Sequence, residues 1–364
     1  MEFLYETIAA VTWQQVIMWC LGALLIFLAI KKDMEPALLL PMGFGAILIN
    51  IPFSGAEGVM SSLFAIGIEM NEIMPLVLFI GIGAMIDFGP LLSNPKLFLF
   101  GGAAQFGIFL TILLAAACGF SIEDAASIGI IGAADGPTSI VVAQTLKSNY
   151  VGPIMVVAYS YMALVPIIQP AVIKLTTTKK ERLIRMEYKP ASVSKRTKIL
   201  FPILVTIVSG LIAPASLSLV GMLMFGNLIR ECGVLNYLTD TAKDVLTNLV
   251  TLFLGITIAF TMKAENFITV QTLMIMGLGL CAFIFDTFSG AMLAKVMNLF
   301  LKEKINPMIG AAGISAFPMS ARIVQKMGIK EDPTNHLLMH AVGANVSGQI
   351  ASAIVGGLII GLVL

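Results

Sequence analysis

Long apolar runs separated by short polar stretches dominate the pattern along the chain. Most runs approach the length of about 20 residues that an α-helix needs to cross a bilayer. Their apolar residues are continuous and do not alternate with polar ones, which argues against the strands of a β-barrel. The predicted segments are 14–30, 37–53, 59–86, 97–119, 122–146, 152–173, 199–213, 215–230, 246–262, 267–300, 306–326 and 334–364. The pattern therefore predicts an all-α polytopic membrane protein with about 10–12 helical segments.

Composition supports this prediction. Of the 364 residues, 58% are hydrophobic and only 12% are charged, with a mean hydropathy of +0.96. A soluble domain carries about twice that charged fraction. These values exclude a disordered chain, a coiled coil and a nucleic-acid-binding protein.

One long polar interval, residues 174–198, holds much of the positive charge. The basic residues in it are Lys174, Lys179, Lys180, Arg182, Arg185, Lys189, Lys195, Arg196 and Lys198. By the positive-inside rule we expect this loop to be cytoplasmic, and Lys31 and Lys32 indicate the same side for the end of the first span. The membrane in question is expected to be the cell inner membrane.

If Lys31, Lys32 and the basic loop all lie on the cytoplasmic side, the chain must cross the membrane an even number of times between them. Five segments are predicted in that part of the chain. The extra one is assigned to 122–146, because Gly129, Gly132, Gly136 and Pro137 interrupt its helical pattern. A broken or re-entrant helix is tolerated where it is buried in protein or lines a cavity. We therefore predict such a helix in this segment.

The basic loop divides the chain into an N-terminal half, 1–173, and a C-terminal half, 199–364. The run GAADGP at 132–137 has a counterpart, GAAGIS at 310–315, inside a second interrupted segment, 306–326. Paired broken segments in corresponding positions are typical of inverted-repeat transporters with a midplane binding site. The pattern predicts two inverted-topology halves whose broken helices meet at an ion site.

Asp135 is the sharpest chemical feature of the first broken segment. No basic residue lies between Lys96 and Lys147 to neutralise it. A carboxylate at bilayer depth is costly, so it normally faces a cavity and serves a cation or a proton. Together with backbone carbonyls freed near Pro137, it would suit Na⁺. The alternative is a protonated side chain that only caps a helix fragment.

The second broken segment offers neutral oxygen groups and a cation. Asn306 and Ser315 carry side-chain oxygens, and Gly310 and Gly313 allow close approach of the backbone. Arg322 is suited to pair with a buried or substrate carboxylate. In the alternative interpretation, Asn306 caps a helix, the glycines pack and Arg322 reaches the membrane interface.

Other polar residues in apolar helices leave two interpretations open. Tyr159 and Tyr161 are candidate proton donors, although a membrane tyrosine more often packs or anchors the helix. Asn345, with Ser347 and Gln349, makes its helix too polar to face lipid, as expected for either a ligand or helix packing.

Two further acids in apolar surroundings, Asp87 and Asp286, are also candidates for a function. The segment 267–300 that contains Asp286 is too long for a single crossing. We expect it to bend near residues 286–290.

Taken together, five motifs resemble the β subunit of sodium-ion-translocating biotin-dependent decarboxylases. They are MIDFGPLLSNP (85–95), GAADGPTSI (132–140), FDTFSGAMLAKVMN (285–298), NPMIGAAGISAFPMSARIVQK (306–326) and ANVSGQIASA (344–353). The resemblance implies a membrane subunit that decarboxylates carboxybiotin, consumes a proton and exports Na⁺ across the inner membrane. It also implies a biotin carrier subunit, a carboxyltransferase α subunit, a small membrane-anchor γ/δ subunit and a homo-oligomer of β subunits.

The resemblance further implies roles for seven residues. Those implied to bind Na⁺ are Asp135, Asn306, Gly310, Ser315 and Asn345. Those implied in catalysis are Asp135, Tyr161 and Arg322, with Arg322 also holding the carboxylate of carboxybiotin. A secondary Na⁺/H⁺ exchanger, or a Na⁺-coupled carboxylate transporter, would show the same architecture without decarboxylase activity. Dependence on carboxybiotin distinguishes these alternatives.

Overall fold

The computed structural model describes residues 2–188 and 193–364, and within these ranges it contains helices and loops but no β-strand. The α-helices are α1 (Glu2–Ala9), α2 (Trp13–Lys32), α3 (Pro36–Ile49), α4 (Ala56–Phe64), α5 (Ile73–Met85), α6 (Gly89–Ser93), α7 (Phe98–Ala103), α8 (Phe106–Ala117), α9 (Ile122–Gly129), α10 (Gly136–Thr145), α11 (Val151–Thr176), α12 (Lys179–Arg182), α13 (Lys195–Ile212), α14 (Leu217–Cys232), α15 (Asn236–Asp240), α16 (Thr247–Ala259), α17 (Ala264–Phe267), α18 (Val270–Phe300), α19 (Pro307–Ala311), α20 (Met319–Glu331) and α21 (Leu338–Val363). Short 3₁₀ turns lie at Pro95–Leu97, Ile130–Ala133 and Pro214–Ser216, and π-helical turns at Ala65–Glu69 and Thr241–Leu246. The prediction of an all-α chain is confirmed.

Six helical stretches in the described ranges are long and apolar enough to cross a membrane. They are Trp13–Lys32, Pro95–Ala117, Val151–Thr176, Asn236–Ala259, Val270–Phe300 and Leu338–Val363. A seventh results if Ala56–Glu69 and Ile73–Met85 are counted together, although they bend by 64°. Asn71 and Glu72 have positive φ at this bend, so the predicted segment 59–86 consists of two helical pieces. The protein is a multi-pass membrane protein.

The distribution of side chains agrees with a lipid environment. On α2, Leu24 and Phe27 are each 50% exposed. In contrast, Asn227 and Asp286 are fully buried. Lipid solvates apolar groups but not charged ones, so buried polar residues surrounded by apolar surface are expected of a membrane protein.

The long helix α18 runs without interruption through residues 286–290, where a bend was expected. Close packing occurs there instead. A Cβ atom at Gly310 of α19 would lie only 2.0 Å from the carbonyl oxygen of Gly290 of α18. Glycine on both sides allows the two backbones to touch, as small residues do in membrane helix pairs.

Both predicted broken segments are broken. In 122–146, the helix α9 passes into a 3₁₀ turn and restarts as α10 after a left-handed residue, Ala134. In 306–326, residues 312–318 separate α19 from α20. The inverted relation of the two halves, and the division into 1–173, 174–198 and 199–364, stay predictions.

The polar interval between the halves is shorter than the sequence pattern indicates. Helix α11 continues to Thr176, and α13 already begins at Lys195. Within the interval, Thr178 caps the short helix α12 by accepting from the backbone N–H of Glu181. Four of its residues, 189–192 (among them Lys189), lie outside the described residues.

Two ion pairs attach this interval to the end of α20. Arg182 pairs with Glu331 at 2.7 Å, and Arg185 pairs with Asp332 at 2.7 Å. The backbone N–H of Thr334, with its hydroxyl and Arg185, lowers the pKa of Asp332 to about 2. Asp332 therefore stays charged at neutral pH, and the basic loop is held against the second broken segment.

Candidate functional site

The first break places Asp135 at the start of α10. Ala134 has a φ of 53°, and Asp135 is extended, so the chain changes direction before the helix restarts at Gly136. Pro137 favours this restart because its missing N–H falls in the first turn, where no intrahelical bond is lost. Glycine is required at Gly136, since a Cβ atom there would lie 2.2 Å from the ring of Tyr159.

Asp135 is 3% exposed and accepts hydrogen bonds from neutral groups. Its Oδ2 accepts from Thr138 Oγ1 at 2.8 Å, from Ser352 Oγ at 2.8 Å and from Gln349 Nε2 at 3.0 Å. Its Oδ1 accepts from the backbone N–H of Thr138 at 3.4 Å. Hydrogen bonds to a charged group contribute about 1.5–3 kcal/mol each. These donors from α10 and α21 therefore offset much of the cost of burying a carboxylate.

The two breaks are joined to each other beside Asp135. Ser315 donates both its backbone N–H, at 3.1 Å, and its hydroxyl, at 2.5 Å, to the carbonyl oxygen of Ala133. Asn345 of α21 donates to the carbonyl oxygen of Ile314 at 2.6 Å. The first break, the second break and α21 thus meet at one place.

A cavity of about 270 Å³ reaches Asp135. The polar residues that line it include Glu35, Asp135, Tyr159, Ser315, Arg322 and Gln349. Arg322 is exposed, whereas Asp135 is buried, so the cavity extends inward from the surface at Arg322. Glu35 follows Lys31 and Lys32 closely, and this opening therefore lies on the side predicted to be cytoplasmic.

The two candidate tyrosines occupy different places. Tyr159 lines the cavity with Asp135, and its buried hydroxyl has no hydrogen-bond partner. The hydroxyl of Tyr161 donates to the backbone carbonyl of Met276 in α18. Tyr161, which the resemblance implies in catalysis, is therefore bonded to a neighbouring helix. Tyr159 is the tyrosine that lines the cavity.

Two of the residues implied to bind Na⁺ make other contacts. Asn306 caps α19 by accepting from the N–H of Met308 at 3.1 Å. Its amide donates to the carbonyl oxygens of Arg182 and Ile184, each at 2.9 Å, and so connects α19 with the basic loop. Gly310 lies in the close crossing of α19 with α18. Ser315 lines the cavity that reaches Asp135, and Asn345 contacts the residue before Ser315, whereas Asn306 and Gly310 do not line that cavity.

Thr138 and Ser352 surround Asp135 and are not among the predicted candidates, whereas Gln349 is among them as either a ligand or a packing residue. Thr138 follows Asp135 by three residues, the spacing between a capping residue and the N–H that it binds. Asn345, Gln349 and Ser352 have the i, i+4, i+7 spacing of one helix face. This stripe was a usable signal in the sequence.

The oxygen atoms at the site are of the kind that Na⁺ binds. Carboxylate, hydroxyl and amide oxygens are hard ligands. The hydroxyl groups of Thr138 and Ser352 keep free lone pairs while they donate, and rotation of the Gln349 amide would present its oxygen instead of its nitrogen. Asn345 Oδ1 is buried and has no hydrogen-bond partner. The donor set therefore fits a dehydrated monovalent cation.

Comparison with known proteins gives a consistent result. The family model of the Na⁺-transporting oxaloacetate decarboxylase beta subunit matches residues 14–363. The chain is 50% identical to methylmalonyl-CoA decarboxylase subunit beta of Propionigenium modestum, over 95% of this chain and 94% of that protein. It is 48% identical to glutaconyl-CoA decarboxylase subunit beta of Acidaminococcus fermentans, over 97% and 94%. It is 43% identical to the oxaloacetate decarboxylase beta chain of Klebsiella pneumoniae, over 96% and 95%. The chain therefore belongs to the family of Na⁺-transporting oxaloacetate decarboxylase beta subunits.

Proposed function

We propose that this chain decarboxylates carboxybiotin, with consumption of a proton, and couples that reaction to Na⁺ export. The observation that carries the proposal is the buried carboxylate of Asp135. It lies where two broken helices meet, surrounded by neutral oxygen groups, at the inner end of a cavity that opens at Arg322. Family membership supports both the transported ion and the decarboxylase activity.

In this proposal Asp135 is the principal Na⁺ ligand. Thr138 and Ser352 contribute hydroxyl oxygens, and Gln349 contributes an amide oxygen after rotation of its side chain. Ser315 and Asn345 hold the second break against the first. They therefore either keep the ligands in position or act as further Na⁺ ligands themselves. The predicted ligands Asn306 and Gly310 instead cap α19 and pack it against α18.

In this proposal Na⁺ and a proton compete for Asp135. A buried carboxylate without a counter-charge is expensive, because burial removes its hydration. A bound Na⁺ or a bound proton each removes that cost, but they occupy the same oxygens. Exchange of one for the other therefore requires no separate gate.

In this proposal Arg322 holds the carboxylate of carboxybiotin at the opening of the cavity. Its planar guanidinium can bind both oxygens of a carboxylate at once. Carboxybiotin supplies the carboxyl group whose release provides the free energy. Glu35 lines the same cavity and faces Arg322 with opposite charge, so it can hold the guanidinium when no substrate is bound.

Replacing Arg322 by lysine tests this role, because Arg322→Lys keeps the charge and loses the two-pronged geometry. We expect the concentration of carboxylated carrier at half-maximal rate to rise about tenfold, or about 1.4 kcal/mol. The measurement is the decarboxylation rate against carrier concentration at saturating Na⁺. Lys326→Arg, one turn further along the same helix and outside the cavity lining, is the control. An unchanged carrier dependence would remove Arg322 from substrate binding.

The two tyrosines give a second test. Because the Tyr159 hydroxyl is unpartnered in the cavity, we expect Tyr159→Phe to raise the Na⁺ concentration at half-maximal rate about fivefold to tenfold. Tyr161→Phe should leave that concentration unchanged, and any loss of maximal rate would measure the catalytic role that the resemblance implies. Na⁺ titrations of the decarboxylation rate separate the two. If Tyr159→Phe and the wild type showed the same Na⁺ dependence, Tyr159 would not contribute to Na⁺ binding in the cavity.

We also propose the membrane orientation and the partners. Four basic residues and two acidic ones line a recess beside the basic loop: Lys96, Arg185, Lys302, Lys304, Glu187 and Glu303. An excess of positive charge favours the cytoplasmic face of the inner membrane. The carboxyltransferase α subunit and the biotin carrier act from that side. A γ/δ anchor and further β subunits complete the complex.

A further inference from the structure

Asp286 is a second fully buried acid, and it approaches the first broken segment from α18. Its Oδ1 accepts the backbone N–H of Gly107, near the start of α8, at 2.5 Å. Its Oδ2 is buried and has no hydrogen-bond partner. A Cβ atom at Gly132 would lie 2.6 Å from Oδ2. One oxygen of this carboxyl group is therefore satisfied, and the other is pressed against the turn that precedes Asp135.

Oδ1 faces the first turn of α8, where Gly107 and Ile108 offer backbone N–H groups, but the surroundings of Oδ2 disfavour a negative charge. The 3₁₀ turn Ile130–Ala133 ends the helical piece that begins with α9, and the end of a helical piece carries partial negative charge on its carbonyl oxygens. A bare carboxylate oxygen against that end is repelled. A buried polar atom that lacks a partner is also rare enough to require an explanation.

Among the residues that the structure describes, no cation forms an ion pair with Asp286. The elements α7, α8, α19 and the 3₁₀ turn pack on α18 and contain no titratable side chain. Two other helices pack against α18, namely α9 with Glu123 and Asp124, and α11 with Tyr159, Tyr161 and Lys174. The other titratable residues of α18 itself are Cys281 and Lys295. Lys295 is engaged with Glu181, and Tyr161 with Met276.

We propose that Asp286 is a second ion-carrying group, which holds a proton on Oδ2 in this conformation and exchanges it during transport. A proton on Oδ2 cancels the charge and turns the oxygen into a donor towards the carbonyl oxygens of the adjoining turn. The step adds H⁺ to the carboxylate and later releases it, and no other bond changes. The part of this proposal that concerns exchange rests on the Na⁺ transport proposed above.

Asp286 and Asp135 are connected through the short stretch of backbone 132–135. Gly132 contacts Asp286 and is only three residues from Asp135. A shift of this stretch that changes the contacts of Asp135 also changes the space at Oδ2 of Asp286. Na⁺ at the first acid and the proton at the second are therefore linked, and each changes the affinity for the other.

Infrared difference spectroscopy, with Na⁺ minus without Na⁺, tests this on the purified protein. Because Asp135→Asn has lost the proposed Na⁺ site, it should give no Na⁺-induced difference. For the wild type we expect a carboxylic C=O stretching band that Asp286→Asn removes. Asparagine keeps the acceptor for Gly107 and nearly the same shape. Thr287→Val, at the adjacent buried position, removes a polar group without removing an acid and should keep the band. Asp286→Glu keeps the acid and should shift the band, which provides the test if the asparagine variant cannot be purified.

The pH dependence of Na⁺ affinity tests the exchange. The number of protons released for each Na⁺ bound should fall by about one in Asp286→Asn. A difference spectrum unchanged by the asparagine variant, or a band unmoved by Asp286→Glu, overturns the proposal. A lost band with an unchanged proton count overturns the exchange, since Asp286 is then permanently protonated. Undiminished Na⁺ binding in Asp135→Asn would instead overturn the proposed Na⁺ site.

Discussion

Asp135→Asn should abolish Na⁺ transport and Na⁺-dependent decarboxylation while the protein still folds into the membrane. Asparagine preserves the side-chain oxygen that caps α10, so the break itself should survive. The ion, however, loses the only negative charge among its proposed ligands. A unit charge at about 4 Å contributes about 4 kcal/mol at an effective dielectric constant of about 20, which corresponds to roughly a thousandfold in Na⁺ affinity.

The Na⁺ dependence of the decarboxylation rate measures this effect. Asp124→Asn is the matched control, because Asp124 begins the same broken segment and accepts hydrogen bonds from Ser148 and Asn149 outside the cavity. We expect this control to lower thermal stability and to keep the Na⁺ dependence. Na⁺-stimulated turnover in Asp135→Asn would remove Asp135 from the ion site.

Gly290→Ala should be among the most destabilising single substitutions in the chain. A Cβ atom at Gly290 would lie 2.2 Å from the carbonyl oxygen of Gly310. Because this contact joins the backbones of two helices, no flexible side chain can move aside to relieve it. Overpacking of this kind costs about 1–3 kcal/mol and occasionally more. Displacement of α19 would also pull Ser315 away from Ala133, so Na⁺ affinity should fall together with stability.

Gly277→Ala is the matched control on the same helix. Apart from its chain neighbours and the backbone of its own helix, no atom of the described residues lies within 4 Å of a Cβ atom at Gly277. Alanine is favoured over glycine inside a helix by about 1 kcal/mol. We expect a midpoint of thermal unfolding equal to or above that of the wild type for Gly277→Ala and a clearly lower one for Gly290→Ala. Equal midpoints for the two variants would show that the crossing of α18 and α19 is not tightly packed.

The breaks were predictable because glycine and proline mark them in the sequence. Pro137 and the glycines around it interrupt one helix, and the run 310–315 interrupts the other. The bend at Asn71 and Glu72 was not predicted, although Gly67 and Pro75 lie on either side of it. Asparagine tolerates the left-handed conformation, and two glutamates within an apolar run were a further signal.

The partners of Asp135 could not be predicted in full, because they depend on tertiary packing. Ser352 reaches the carboxylate from a helix 217 residues away in the sequence. Its spacing from Asn345 and Gln349 indicates a shared face but not what that face meets. The resemblance, in turn, transfers the identity of a residue and not its contacts, as the hydrogen bonds of Asn306 and Tyr161 show.

Uptake of radiolabelled Na⁺ into inverted membrane vesicles that contain this protein tests decarboxylation-driven transport most directly. The carboxylated biotin carrier is added or withheld, with and without a protonophore. We predict uptake that requires the carboxylated carrier and persists when the protonophore collapses the proton gradient. Uptake that ignores the carrier and follows an imposed pH gradient would contradict this and make the protein a secondary Na⁺/H⁺ exchanger.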